Sequence, residues 1–216
     1  MDQINVSLPL SQQLANSIRK GIISGELKNG EKISVNIISQ MFGVSGTPVK
    51  EAFKILQSEG LVVAKPRSGT IISDFATSSI RNLVYIRSAL EGVAVNFATR
   101  GATDEEFLEL EHLLDGADDA IRGGTNLARL ISINTDFHRK IRELARNQYL
   151  YSLIEQFVAI DLSVREHALG ELELKIKGAE EHRLILRLMK ERKADEAESA
   201  MISHIRKTVQ TVVERT

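Results

Sequence analysis

The stretch VSGTPVKEAFKILQSEGLV, residues 44–62, decides how the N-terminal part of the chain folds. Its apolar residues recur at i, i+3, i+4 and i+7, a spacing that predicts a helix over about 46–58 with one face in a core. That face consists of Val49, Ala52, Phe53 and Leu56. A hydroxyl group of Ser45 or Thr47 is expected to cap the helix, and Pro48 follows in the first turn, where its missing N–H costs little.

The opposite face of this helix carries Thr47, Lys50 and Lys54 at i, i+3 and i+7. Such a face offers hydroxyl and ammonium groups to the phosphates and base edges of a DNA major groove. For any isolated helix, a solvated lysine face is the simpler interpretation. The choice between the two therefore depends on the flanking segments.

The segments before this helix predict two more helices. Apolar residues three and four apart indicate a helix over about 10–22, and Gly25 is able to end it. A second helix fits residues 34–42, with Ser34 as its N-cap and Gly43 as its end. Its inward residues are expected to be Ile37, Ile38 and Met41.

The segment after the helix predicts a β-hairpin with a basic tip. Residues 61–65 and 70–73 are β-branched runs on either side of Pro66-Arg67-Ser68-Gly69. Three helices followed by a hairpin describe a winged helix-turn-helix, and this order favours DNA binding by the lysine face, with the tip at Arg67 reaching an adjacent groove. The candidate DNA-binding residues are Ser34, Ser45, Thr47, Lys50, Lys54, Arg67, Ser68 and Gly69.

From residue 79 onward the pattern is helical only. Six amphipathic segments fit, over about 79–99, 104–122, 126–145, 148–168, 172–191 and 194–214. Thr103 and Glu106 have the spacing of a capping box. Because the loops are short, the helices are expected to pack as an antiparallel bundle. The fold class is therefore mainly α, with a winged helix-turn-helix over 1–73, a polar linker over 74–79 and a helical domain over 80–216.

The composition is that of a soluble globular protein, with 43% apolar and 26% charged residues. There is no cysteine, which excludes disulfides and thiolate metal sites and suits a reducing compartment. No apolar run is long enough to span a membrane and no signal peptide is recognisable, so the expected location is the cytoplasm. The formal net charge of −1 divides into +2 for residues 1–75 and −3 for the remainder, a small asymmetry in the direction that a DNA-binding N-terminus requires.

Three of the five histidines are predicted to point into the helical bundle. His138, His182 and His204 lie on the apolar faces of three different helices, whereas His112 and His167 are predicted to be exposed. Each inward histidine is most simply a hydrogen-bonded core residue. A shared divalent metal ion would satisfy all three together, and Asn134, one turn before His138, could add an oxygen ligand.

Residues 8–73 resemble the winged helix of the GntR family of bacterial repressors. The resemblance rests on Gly43 to Phe53, on Leu56, on Gly60-Leu61-Val62 and on the tip Arg67-Ser68-Gly69-Thr70. The family usually has arginine where this chain has Gly46 and Lys50. Arginine binds guanine through two hydrogen bonds, whereas lysine is a point charge and glycine has no side chain to read a base. The resemblance therefore implies DNA binding with a different operator preference.

Residues 79–212 resemble the FCD ligand-binding domain of the FadR branch of that family, and six helices are typical of its VanR-like subgroup. The matching pieces are Tyr85-Ile86-Arg87 with Leu90-Glu91, Asn134 with Phe137-His138, Glu181-His182-Arg183 with Ile185, and Asp195 with Met201 and His204. The resemblance implies a divalent ion, zinc, nickel or manganese, held by Asn134, His138, His182 and His204. It also implies a small carboxylate effector, for which Arg87 is the best second contact; Arg139 and Arg165 are weaker ones. The alternative for Arg87 is an ion pair with Glu91 at i+4.

The leading interpretation is a homodimeric transcriptional regulator that binds a double-stranded DNA operator and responds to the carboxylate. One alternative is a metal-dependent enzyme built on the same histidines, for which Asp136 is the nearby acid. Another is a regulator with a metal-free effector pocket, in which the histidines only form hydrogen bonds.

Overall fold

The structure, a computed structural model, describes residues 8–65, 69–74, 76–123, 127–168 and 172–213. Contacts along the chain separate it into two compact units, residues 1–83 and 84–215. The domain limits expected from the sequence, 1–73 and 80–216 with a linker over 74–79, remain a prediction.

The first unit is a winged helix-turn-helix, as predicted. Its elements are α1 (Leu10–Ile23), β1 (Lys32–Ile33), α2 (Val35–Phe42), α3 (Gly46–Ser58), β2 (Val62–Lys65) and β3 (Gly69–Ile72). Strands β2 and β3 form the expected antiparallel hairpin, with Val62 opposite Ile72 and Lys65 opposite Gly69. The two-residue strand β1 pairs with the other edge of β3 and was not predicted, because two residues are too few to show an alternating pattern.

The apolar face of α3 forms the core of this unit. The predicted residues are all buried, and α3 packs against the buried face of α1. Arg19 of α1 is also fully buried, since its guanidinium donates two hydrogen bonds, of 3.0 and 2.7 Å, to the carboxylate of Glu59 at the end of α3. This bidentate pair compensates the burial of the charge and links the two helices.

The predicted orientation of α2 is wrong at two positions. Ile38 is buried, but Ile37 and Met41 are 50% and 66% exposed. Consecutive residues of a helix point about 100° apart, so Ile37 and Ile38 do not face the same narrow core. In a helix of eight residues, one buried side chain is enough to hold α2 against α3.

The caps of α2 and α3 differ. The Ser34 hydroxyl accepts a hydrogen bond of 3.1 Å from the amide of Ile37, which confirms the predicted cap, and Gly43 ends α2 in the left-handed region with φ 64°. Ser45 occupies the N-cap position of α3, but its hydroxyl makes no capping hydrogen bond. The hydroxyl of Ser45 is therefore left on the exposed surface.

The second unit contains the six predicted helices. They are α4 (Ala76–Gly101), α5 (Asp104–Arg122), α6 (Leu127–Leu144), α7 (Gln148–Ala168), α8 (Leu172–Lys190) and α9 (Ala194–Val213), with the first eight residues of α4 belonging to the first unit. Helix α4 begins three residues earlier than predicted, because Ala76 is buried and its amide bonds the carbonyl of Ser73. The capping box of α5 is confirmed, with Thr103 and Glu106 each accepting from the other's amide.

Helix α5 packs against α6 and α8, and α9 packs against α7 and α8. Charged side chains link these helices at the surface. Lys190 bonds both carboxylate oxygens of Glu111, and Arg183 bonds Asp115 and Asp118. Within the described residues, no helix combines the length and the apolar character needed to cross a bilayer.

Candidate metal centre and DNA-binding surface

Three buried histidines meet inside the second unit. His138 lies on α6, His182 on α8 and His204 on α9, and their exposed fractions are 1%, 5% and 7%. One ring nitrogen of each lies within 4.8 Å of the corresponding nitrogen of the other two. The prediction that these three side chains point inward from separate helices is confirmed.

The spacing of the rings fits a shared ion. The Nε2 atoms of His182 and His204 are 3.1 Å apart, and the centroid of the His138 ring lies 5.2 Å and 5.5 Å from theirs. Two nitrogens bound about 2.1 Å from one ion are roughly 3.0–3.4 Å apart when the angle between them is 90–109°. The same 3.1 Å is also a normal hydrogen bond if one of the two nitrogens carries the proton.

An aromatic ring borders the histidines. Phe137 is fully buried, its ring lies 4.6 Å from that of His182 and it meets the ring of His138 edge-on. Such apolar surroundings lower the local dielectric and strengthen the interactions between the imidazoles and any bound cation.

Glu181 lies beside the cluster and was not assigned a role from the sequence. Its Oε2 is 2.8 Å from Nδ1 of His204, and its Oε1 accepts a hydrogen bond of 3.0 Å from Lys207. Burial raises the pKa of the Glu181 carboxyl, but the hydrogen bonds from His204 and Lys207 outweigh this effect, so the pKa lies below its usual value. The carboxyl group is therefore ionised at neutral pH.

A buried charged group lies next to His138. Arg87 and Arg142 both donate to the Oε1 of Glu91, at 2.6 and 2.9 Å, and the Oε2 of Glu91 is 3.9 Å from Nδ1 of His138. All four side chains are buried. The alternative foreseen for Arg87, a pair with Glu91, is therefore present in the structure.

Arg142 is a member of this group that the sequence reasoning missed. It follows His138 by four residues on α6, so helical spacing alone puts both on one face and could have identified it. Its second partner, Glu155, lies 3.3 Å away and is 43% exposed, so solvent screens that carboxylate. Next to His138, two buried guanidinium groups thus bind one buried carboxylate, that of Glu91.

Asn134, Arg139 and His112 are more exposed than the three clustered histidines. Asn134 is half-buried, one turn before His138 on α6. Arg139 is exposed and pairs with Asp136 at 2.8 Å and Glu143 at 2.9 Å, which holds the acid that the enzyme alternative requires in a surface ion pair. His112 is exposed, as predicted, and the side chains of Arg165 and His167 lie outside the described residues.

The DNA-facing candidates of the first unit share an exposed surface on α3. Thr47, Lys50 and Lys54 are all exposed, opposite the buried face of that helix, and Ser45 is exposed at its start. Ser34 is half-buried and its hydroxyl serves as the cap of α2.

The hairpin end is described only in part. Gly69 is exposed with φ 87° opposite Lys65, whereas Arg67 and Ser68 lie outside the described residues. Lys65, exposed at the end of β2, adds a charge that the sequence reasoning did not assign to the DNA surface.

Comparison with known proteins gives consistent matches to both units. Residues 10–72 match the family described as bacterial regulatory proteins, gntR family, and residues 82–207 match the FCD domain. The chain is 33% identical over 147 residues to the HTH-type transcriptional regulator YdhC of Bacillus subtilis, covering 68% of this chain and 66% of that protein. It is 26% identical over 210 residues to the HTH-type transcriptional repressor RspR of Escherichia coli, covering 97% of this chain and 92% of that one.

Among solved structures, Escherichia coli McbR/YncC matches with a TM-score of 0.65 and 21% identity, over 97% of this chain and 99% of that chain. At this identity the match concerns the fold alone.

Proposed function

The chain belongs to the GntR family of bacterial regulatory proteins and carries an FCD domain, and on this basis we propose that its DNA binding is controlled by a small carboxylate effector bound at a divalent metal ion. The protein is a DNA-binding transcriptional regulator rather than an enzyme. The observation that carries the proposal is the convergence of three buried imidazoles from three helices.

The ion would be held by His138, His182 and His204, with Asn134 as a neutral oxygen ligand from the preceding turn of α6. Imidazole nitrogens with a single oxygen suit zinc, nickel or manganese better than calcium or magnesium. When bound, the ion would supply open coordination positions for a carboxylate oxygen.

The charged group around Glu91 would hold the other end of the effector. Arg87 and Arg142 place two guanidinium groups near His138, both bonded to the same carboxylate oxygen of Glu91. An effector carboxylate entering here would gain charge-assisted hydrogen bonds. Arg87 is the first candidate, as the sequence suggested, and Arg142 is the second.

On the DNA side, Thr47, Lys50 and Lys54 would enter the major groove from α3, with Ser45 at its N-terminus and Ser34 at the N-terminus of α2. The hairpin end, with Arg67, Ser68 and Gly69, would reach an adjacent groove. Because lysine is a point charge, Lys50 and Lys54 are expected to contribute affinity through phosphates more than base selection.

A homodimer binding a short palindromic operator is supported by an exposed apolar stripe on α4. Ile86 and Phe97 are 52% and 43% exposed, and their separation of eleven residues, about three turns, puts them on the same side of the helix. A partner of the same sequence would cover this stripe and place two α3 helices on one operator.

The proposal is tested by operator binding with and without the metal. DNA selected from a random pool by the purified protein would be titrated with protein stripped of metal, or reloaded with zinc, nickel or manganese, against a panel of small carboxylates. We expect at least one carboxylate to change the DNA affinity of the reloaded protein only. The His182→Ala variant should lose this response, and His112→Ala, which removes an exposed histidine, should keep it.

Two results would contradict the proposal. An effector response that survives metal removal and the His182→Ala substitution would support the metal-free pocket, in which His182 and His204 share a proton across their 3.1 Å contact. Failure to select any DNA sequence would contradict the regulatory part.

A further inference from the structure

Glu181 connects two of the histidine-bearing helices. It precedes His182 on α8, yet its carboxylate contacts α9, where Oε2 lies 2.8 Å from Nδ1 of His204 and Oε1 lies 3.0 Å from Nζ of Lys207. His204 and Lys207 are three residues apart on α9, so both reach the carboxylate from one face of that helix.

The geometry of this contact favours a proton on Nδ1 of His204. The distance of 2.8 Å is that of a hydrogen bond, and with Lys207 donating to the other oxygen of the carboxylate, the arrangement fits Nδ1–H of His204 as the donor. Nε2 of His204 is then the ring nitrogen that carries a lone pair, and this atom lies 3.1 Å from Nε2 of His182. The bond to Glu181 also limits rotation of the ring, since turning it would break a charge-assisted hydrogen bond.

We propose that Glu181 is a positioning residue of the metal centre: by accepting the hydrogen bond from Nδ1–H of His204, it keeps the Nε2 lone pair of that ring directed at the point shared with His138 and His182. Lys207 completes the arrangement, because its ammonium group fixes the second oxygen of the same carboxylate. The inference rests on the metal-binding part of the proposed function. A purely structural role, in which Glu181 only ties α8 to α9, predicts a loss of stability and no change at His204.

The experiment compares two identical substitutions one residue apart. Glu181→Met removes the carboxylate at nearly constant side-chain length, and Glu180→Met removes the same charge from an exposed neighbour on α8. Nitrogen chemical shifts of the histidine rings, measured by NMR on metal-free protein, report the tautomer of His204. Competition with a chelator of known affinity gives the binding constants of zinc and of nickel.

We expect the wild type and Glu180→Met to hold His204 in the Nδ1–H form, and Glu181→Met to show a mixture of tautomers. Zinc and nickel should bind Glu181→Met about 10–100-fold more weakly than Glu180→Met. Glu181→Gln, whose amide oxygen still accepts a hydrogen bond, should lie between the two. If Glu181→Met does not fold, the comparison is made with Glu181→Gln instead.

Equal metal affinity and the same His204 tautomer in Glu181→Met and Glu180→Met would overturn the inference while leaving metal binding by the wild type intact. The Nε2–H form of His204 in the wild type would overturn it as well. A wild type that binds neither zinc nor nickel would instead overturn the proposed metal centre, and this inference with it.

Discussion

The residues of the exposed face of α3 and those of the histidine cluster are brought together in different ways. Thr47, Lys50 and Lys54 lie within eight consecutive residues and share a face because of helical periodicity alone. His138 and His204 are 66 positions apart and approach each other only because α6, α8 and α9 pack together. The candidate DNA-facing surface is therefore a local property of the chain, whereas the candidate metal centre is a property of the bundle.

The independence of the two regions is tested first by a core substitution in the first unit. Leu56→Ala removes a fully buried side chain of α3, and we expect it to lower the free energy of unfolding of this unit by about 2–5 kcal/mol and to reduce DNA binding. Leu56→Met, of similar volume, should cost less than about 1.5 kcal/mol. Chemical denaturation measures both, and metal affinity should stay unchanged. A parallel loss of metal affinity would show that the two regions are not independent.

The dependence of the metal centre on three helices is tested by His182→Ala. Because it removes a proposed ligand, we expect metal affinity to fall by more than about 100-fold, beyond the effect of losing a residue that only orients a ligand. His112→Ala, on the exposed side of α5, is the matched control. Elemental analysis and chelator competition measure the effect. Equal metal content in the two variants would contradict a site that includes His182.

Lys50→Ala and Lys54→Ala test whether the exposed face of α3 contacts DNA. Each lost phosphate contact should lower DNA affinity about five-fold at 0.15 M salt and reduce the slope of log affinity against log salt by about 0.9. Lys193→Ala, which removes an exposed lysine of the other unit, should change neither quantity. Fluorescence anisotropy across a salt series gives both numbers. An unchanged slope would show that these lysines do not contact DNA.

The smallest predicted effects distinguish a stabilising role from a DNA-binding role for the serines that precede α2 and α3. Ser34→Ala deletes an observed capping hydrogen bond and should destabilise the first unit by about 1 kcal/mol. Ser45→Ala deletes no capping hydrogen bond, so the free energy of unfolding of this variant should stay within about 0.5 kcal/mol of that of the wild type. Any effect of the substitution should be on DNA affinity. Thermal unfolding and anisotropy, run on both variants, decide between these roles. Equal destabilisation by the two substitutions would contradict the assignment.

Most helix limits could be predicted from the sequence, because apolar spacing and caps act over a few residues. The capping box at Thr103 and the buried face of α3 are confirmed examples. The orientation of α2 was predicted wrongly at Ile37 and Met41, which are apolar but exposed, since the sequence does not show how little of a short helix a small core covers.

The amino-acid sequence by itself determined the winged helix, the six helices and the inward direction of three histidines, because each of these follows from residue patterns within single helices, strands and turns. Only the tertiary structure decided that one nitrogen of each ring lies within 4.8 Å of those of the other two, that Glu181 contacts His204 and that Glu91 accepts from Arg142 as well as from Arg87. The contacts among the histidines, of Glu181 with His204 and of Glu91 with Arg142 join residues on different helices. Their distances depend on how side chains of neighbouring helices interlock, which no spacing within one segment encodes.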